Sequence, residues 1–273
     1  MMREFYVGYM PKAPKNLADW IRLVALSILV IGLVTALVLV SSFQESRNST
    51  FEYGIYKEIT GRIYKEPVPT IRVTSGNSSK TFALVNFGKS GVSGIIERFE
   101  QANGGDISDY EITVRGSLIY YDGVTLLELS HQDKSIVDFR KSQVQAIRNQ
   151  VEIGELEISG ELVDSKCFFG VMKPGFGKIH RSCAIRCISG GVPVALSTPD
   201  HRYFFIRGEE LSPYFDLIGK PIKLTAVAYQ LDDLNYLNIS GIELSSVVPK
   251  QDQFSLLIAN RSESIDSELV KCN

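Results

Sequence analysis

Glu58-Ile59-Thr60-Gly61-Arg62-Ile63 returns later in the chain as Glu157-Ile158-Ser159-Gly160-Glu161-Leu162. The shared pattern is acid, Ile, hydroxyl, Gly, charge, aliphatic, and it opens two stretches with the same plan. Each stretch goes on to a long alternating strand, an acidic turn and a second strand. In the first these are Glu111–Tyr120, Asp122-Gly123 and Thr125–Leu129; in the second, Ile222–Gln230, Asp232-Asp233 and Asn235–Ile239. Asp-Gly between alternating apolar runs is a strong hairpin signal, and Asp-Asp a weaker one.

Two more strands and a less regular segment lie between these landmarks. They are Thr70–Thr74, Lys80–Val85 and Gly91–Asn103 in the first half, and Val192–Ser197, Tyr203–Arg207 and Glu209–Leu217 in the second. Five strands with a helical or irregular element after the third fit an OB-type barrel, a small Greek-key barrel whose closure removes sheet edges. The expected fold is therefore mainly β, with two tandem OB-like barrels over residues 54–134 and 153–248. The competing arrangement is one irregular β-sandwich. Between the halves, residues 135–152 read as a helical connector, because Val137, Val144 and Ile147 have helical spacing and no Gly or Pro interrupts them.

Ahead of the repeats, Leu23–Val40 reads LVALSILVIGLVTALVLV without a charge. Eighteen such residues span about 27 Å as a helix, close to the thickness of a bilayer's hydrocarbon core. Ser27 and Thr35 can return their hydroxyls to the helix backbone, and Trp20 and Arg22 suit the headgroup layer. A cleaved signal peptide is the alternative, but its apolar core is usually shorter, and no small-residue cleavage site follows Val40. Residues 20–42 are thus expected to cross a membrane once, with 43–53 as linker. Arg3, Lys12, Lys15 and Arg22 outnumber Glu4 and Asp19 before the span, whereas Arg47 faces Glu45 just after it. The positive-inside rule then leaves residues 1–19 in the cytoplasm and exports the rest, to the periplasm in a bacterium.

Of the chain's 273 residues 44% are hydrophobic and 22% charged, as in packed globular proteins. The whole chain carries −2; the part beyond residue 42 carries −4, since four bases and two acids precede it. A mildly acidic exported part has no electrostatic footprint for nucleic acid. Nor is there a Gly-rich phosphate loop, an H-E-x-x-H or a G-x-S-x-G, so hydrolase and nucleotide-dependent chemistry lack support.

The second half differs by an insertion, residues 164–191, where the first half has only Tyr64–Pro69. It holds Cys167, His180, Cys183 and Cys187. Ile179–Ile188 is expected to be a helix stopped by Gly190-Gly191, which sets His180, Cys183 and Cys187 at i, i+3 and i+7 on one face. Cys167 precedes them, and Pro174-Gly175-Phe176-Gly177 lets the chain double back. Three thiols and an imidazole make a Cys3His set for zinc, copper or iron. Oxidised, the same residues make a disulfide staple of Cys167 with Cys183 or Cys187, the bridge expected of an exported domain. A thiol oxidoreductase is the third reading, set back by C-x-x-x-C in place of C-x-x-C. His131 and His201 lack partners at ligand spacing and read as surface residues. Met172 reads as packing, and Cys272 lies in an acidic tail, 249–273, where its state is open.

The string VDSKCFFGVMKPGFGKIHRSCAIRCISGGVP, Val163–Pro193, resembles a motif of uncharacterised bacterial membrane-anchored, extracytoplasmic proteins. Phe5-Tyr6-Val7-Gly8-Tyr9-Met10-Pro11 resembles their short N-terminus. The resemblance implies that the cluster is a feature of that family, and it brings no activity. The functions that follow are a tethered binding or assembly module holding a metal or serving a membrane electron-transfer complex, a purely structural or interaction protein with a disulfide staple, and the oxidoreductase.

Overall fold

The computed structural model describes residues 14–42, 49–76, 78–130, 135–142, 148–207 and 212–245. The chain divides into two units, Met1–Arg47 and Asn48–Asn273.

Helix α1, Lys15–Ser42, makes up the described part of the first unit. Within it an 18-residue window has a mean hydropathy of 3.0, and the span Lys15–Ser41 is long and apolar enough to cross a bilayer as an anchor or a signal sequence. Ser27 donates to the Leu23 carbonyl and Thr35 to that of Ile31, both at 2.8 Å, so these hydroxyls are satisfied within the helix.

The second unit contains two closed five-stranded barrels with identical strand order. The first is built from β2 (Lys57–Tyr64), β3 (Thr70–Ser75), β4 (Ser78–Val85), β5 (Tyr110–Tyr121) and β6 (Val124–Leu129). Strand β2 pairs with β3, β3 with β4, β4 with β6, β6 with β5, and β5 again with β2. The second barrel uses β8 (Gln150–Asp164), β9 (Val194–Ser197), β10 (Tyr203–Arg207), β11 (Ile222–Leu231) and β12 (Leu234–Leu244) in the corresponding cycle. In each barrel the third and fifth strands are parallel and every other pair antiparallel. That repeated Greek-key closure is the tandem OB-type architecture expected from the strand pattern. Helix α2 (Ser93–Asn103) follows the third strand of the first barrel, and the 3-10 turn Ser212–Leu217 holds that place in the second.

The repeated hexapeptide now has a physical role. Gly61 is the last β2 residue paired with β5, and Arg62 is the first paired with β3. Likewise Gly160 ends the pairing with β11, and Glu161 begins that with β9. Each glycine thus stands where the opening strand changes partners, and the backbones approach too closely for a side chain. A Cβ on Gly61 would lie 2.5 Å from the Arg72 carbonyl oxygen, and one on Gly160 2.4 Å from that of Ser197. The acidic turns match too: Asp122 and Asp232 both adopt positive φ, at 46° and 56°.

The segment read as a helical connector is different. Ile136–Lys141 is a strand, β7, paired with β5, so this part joins the first sheet. Packing outweighs the wider helical spacing: Ile136 rests against the first barrel's core, and Phe139 packs edge-on against Phe99 and Tyr110, with ring centroids 5.0 and 6.0 Å away. Val144 and Ile147 lie outside the described residues. A short strand β1 (Ser49–Phe51) also pairs with β5.

Three cores result. Ile63, Ile71, Leu84, Ile112 and Leu127 fill the first barrel with α2 residues. Leu156, Leu162, Leu196, Phe204 and Leu237 fill the second. The third core belongs to both, joining Ala83, Val85, Ile119, Tyr121 and Leu126 of the first barrel to Tyr203, Phe205, Tyr229 and Tyr236 of the second. Cys167, Phe168, Phe169 and Cys187 of the insertion belong to this seam. At its edge the buried Asp232 carboxylate accepts Arg148 at 3.0 Å and faces Arg72 of the first barrel at 3.4 Å. Tyr203 donates to Asp122 at 3.1 Å across the same seam.

Gly61→Ala and Gly160→Ala should each destabilise the protein by about 1–3 kcal/mol, the usual cost of overpacking. Urea unfolding of each variant checks this. Gly94→Ala in α2, where φ is not positive and a Cβ meets only ordinary van der Waals contact at 3.6 Å, is the control for a glycine changed without a backbone clash.

Candidate metal and thiol site

Strand β8 ends at Asp164, and the chain turns at once into a π-helical turn, Cys167–Val171. Such turns are uncommon and concentrate at functional sites. The Cys167 carbonyl accepts the Met172 N–H at 3.2 Å. Phe168 and Phe169 point into the seam, where Tyr121 and Tyr203 surround them at centroid distances between 5.3 and 5.8 Å. Burying two phenylalanines there contributes about 1.5–3 kcal/mol each. Beyond the turn the chain doubles back as its Pro-Gly-x-Gly segment foretells. The backbone of Gly175 passes so close that a Cβ would lie 2.6 Å from the Phe168 Cα.

Helix α3, Gly177–Ser189, follows and contains the expected Ile179–Ile188. A Glu161 carboxylate oxygen accepts the Gly177 N–H at its start, and burial pushes the Glu161 carboxyl above its ordinary range. At its end Gly190 accepts the Gly91 N–H of the first barrel at 2.8 Å. One side of α3 sends Ala184 and Ile188 into the second barrel's core. His180, Cys183 and Cys187 gather on the side that meets Cys167, as their spacing requires.

Ligand atoms of Cys167, His180 and Cys183 all lie within 4.8 Å of one another, and so do those of Asp164, Cys167 and Cys187. Cys167 belongs to both groups and so stands at the centre. The Cys167 and Cys187 sulfurs are 3.9 Å apart. A tetrahedral zinc site with sulfur at about 2.3 Å has sulfur–sulfur edges near 3.8 Å, so this pair already has the separation a shared metal needs. His180 and Cys187 are buried, at 4% and 1% exposure, while Cys183 is half-buried. The staple expected of Cys167 with Cys183 or Cys187 would use these same thiols, which stand unbonded here with Cys167 and Cys187 in contact.

Asp164 organises the group from beneath. Fully buried, it accepts the Cys167 N–H at 2.8 Å through Oδ1. Its Oδ2 takes the His180 ring nitrogen Nε2 at 2.9 Å. With Nε2 donating to a carboxylate, neutral His180 keeps its lone pair on Nδ1. That is the carboxylate–histidine pairing that orients metal-bound imidazoles. Lysines connect the cluster to the first barrel. Buried Lys166 donates to the carbonyls of Asn86 and Gly88, both at 2.7 Å, and pairs with Glu128 at 2.5 Å. Exposed Lys89, from the same loop, is raised above its ordinary pKa by a hydrogen bond with Cys183. Within the buried sulfur pair, Cys187 carries the negative charge more readily. The Cys167 thiol donates to it, which lowers Cys187 and raises Cys167.

The four residues expected as ligands fall into two overlapping triads that share Cys167: His180 and Cys183 join it in one, Asp164 and Cys187 in the other. Asp164 and Lys89 are neighbours of the cluster that spacing did not single out. Asp164 is the third residue before Cys167, and its carboxylate closing the turn over the Cys167 N–H is a local signal available in the sequence. Lys89 has no such signal. His201 lies exposed in a turn at φ 63°, as a surface residue should. Met172 is 44% exposed. His131 and Cys272 lie outside the described residues. No protein-family model, curated protein or solved structure matches this chain.

Asp164→Asn should reverse the His180 tautomer, because an amide NH2 turned to Nε2 makes that nitrogen an acceptor. Long-range proton–nitrogen NMR of histidine-labelled protein should find the proton on Nε2 in the parent and on Nδ1 in the variant.

Proposed function

We propose that this chain is a single-pass, membrane-tethered module whose paired OB-type barrels lie outside the cytoplasm. Cys167, His180, Cys183 and Cys187 hold one thiophilic metal ion. Zinc fits the donor set best, since three thiolates and one imidazole form a closed tetrahedral shell; copper and iron are the alternatives that share those donors. The observation that carries this reading is that Cys167 lies within ligand range of His180 and Cys183 in one triad and of Cys187 in another, beside a buried carboxylate that fixes the imidazole. Because Cys167 and Cys187 belong to the seam between the barrels, the ion would stiffen the contact between them. A purely structural disulfide staple is the alternative reading, and the Cys167 and Cys187 sulfurs, 3.9 Å apart, are the pair that would form it. Serving a membrane electron-transfer complex, as a holder or assembly factor, suits a tethered metal site, and nucleic acid is not the partner.

Full-length protein purified anaerobically in detergent should contain stoichiometric metal by elemental analysis, and Cys187→Ser should lose it. Metal-free protein with Cys167 fully in a disulfide would overturn the reading. A reporter enzyme active only outside the cytoplasm, fused after Asn273, should be active; an inactive but stable fusion would reverse the assigned orientation.

A further inference from the structure

The three thiols differ in access in a way that metal binding alone does not need. Cys167 and Cys187 are buried at 6% and 1% exposure, whereas Cys183 is half-buried, at the edge of the seam core. Cys183 is therefore the thiol within reach of a molecule from solvent. Behind it the sulfurs form a chain. Cys183 lies within 4.8 Å of Cys167, and Cys167 within 3.9 Å of Cys187. Cys167 is thus close to both others, and Cys183 also neighbours Cys187 one helical turn on.

The approach to Cys183 is cationic. Lys89 reaches its thiol from the first barrel. The loop bearing Lys89 is held against the end of α3 by the Gly91 to Gly190 hydrogen bond. A Cβ on Gly190 would lie 2.0 Å from the Lys89 carbonyl oxygen, so that close approach depends on a bare backbone. Arg186, exposed one helical turn beyond Cys183, adds a second positive charge.

We propose that the metal-free site is a three-thiol relay that reduces small anionic disulfides and stores the oxidation as a Cys167–Cys187 disulfide. Lys89 guides the disulfide RSSR to Cys183. The Cys183 thiolate attacks one sulfur, forming Cys183–S–S–R and releasing RS−. Cys167 attacks Cys183 Sγ, forming the Cys167–Cys183 bond and releasing the second RS−. Cys187 then attacks Cys167 Sγ, leaving Cys167–Cys187 bonded and Cys183 a thiolate again. The protons of Cys167 and Cys187 end on the two leaving thiolates. One protein dithiol is oxidised, and RSSR is reduced to two RSH. Since Cys167 and Cys187 are also proposed ligands, oxidation and metal binding exclude each other.

Glutathione disulfide and the uncharged 2-hydroxyethyl disulfide serve as probes on full-length protein, reduced and stripped with chelator. Mass-spectrometric peptide mapping should find Cys167 joined to Cys187 and Cys183 free at the end point. Cys187→Ser should stop at Cys167–Cys183. Cys183→Ser should slow oxidation by either probe at least about tenfold, as loss of the accessible nucleophile demands. The exposed substitution Lys89→Glu, which tests the guide without touching the core, should slow glutathione disulfide at least about tenfold more than it slows the uncharged probe, and equal slowing of the two would remove the guide. Oxidation of Cys183→Ser at the parent rate, or a lasting Cys183–glutathione adduct in the parent, would overturn the relay. No metal is present in any arm, so a protein that never binds metal can still pass, and one that binds zinc can still fail.

Discussion

The Asp164 carboxylate, sealed from solvent where β8 gives way to the π-helical turn, is the constraint on which the cluster depends. A buried charge needs strong partners. Asp164 has two, the Cys167 N–H at 2.8 Å and the His180 ring at 2.9 Å. One contact sets the backbone on which the central thiol rides, and the other sets the face His180 turns to the sulfurs. With both fixed by one carboxylate, the ligand-bearing residues are placed before any ion arrives.

The two barrels share a topology and differ in what the insertion makes possible. Only the second carries residues 164–191, and these fill the gap between the two with aromatic rings as well as thiols. The metal chemistry proposed here and the cohesion of the paired barrels therefore rest on the same side chains. Lys166 extends that dependence by reaching the Asn86–Gly88 loop of the first barrel, and Lys89 by approaching Cys183 from that same loop. An event at the sulfurs, whether metal loading or oxidation, would be felt at the inter-barrel contact.

Much of this fold was legible in the sequence, for identifiable reasons. Strict alternation fixed the strands, the Asp-initiated turns fixed the hairpins, and the repeated hexapeptide marked the partner switch at Gly61 and Gly160. The sequence also placed His180, Cys183 and Cys187 together, because helical geometry leaves little choice. Strand β7 was obscured because Val137, Val144 and Ile147 fit a helix, while Ile136-Val137-Asp138-Phe139 is too short and irregular to announce a strand. The seam left a subtler trace. Tyr203-Phe204-Phe205-Ile206 is an unbroken apolar run, and its residues divide between two cores, Phe204 and Ile206 inward and Tyr203 and Phe205 to the seam. Such a run signals a strand buried on both faces, whereas the approach of Lys89 to Cys183 arises only from tertiary packing.

X-ray absorption at the metal edge of the anaerobically purified full-length protein bears most directly on the central claim. The proposed centre gives a first shell of three sulfurs at about 2.3 Å and one nitrogen at about 2.0–2.1 Å. It also gives the outer-shell scattering of a bound imidazole. A shell of oxygen and nitrogen alone, with the sulfurs absent, would contradict it.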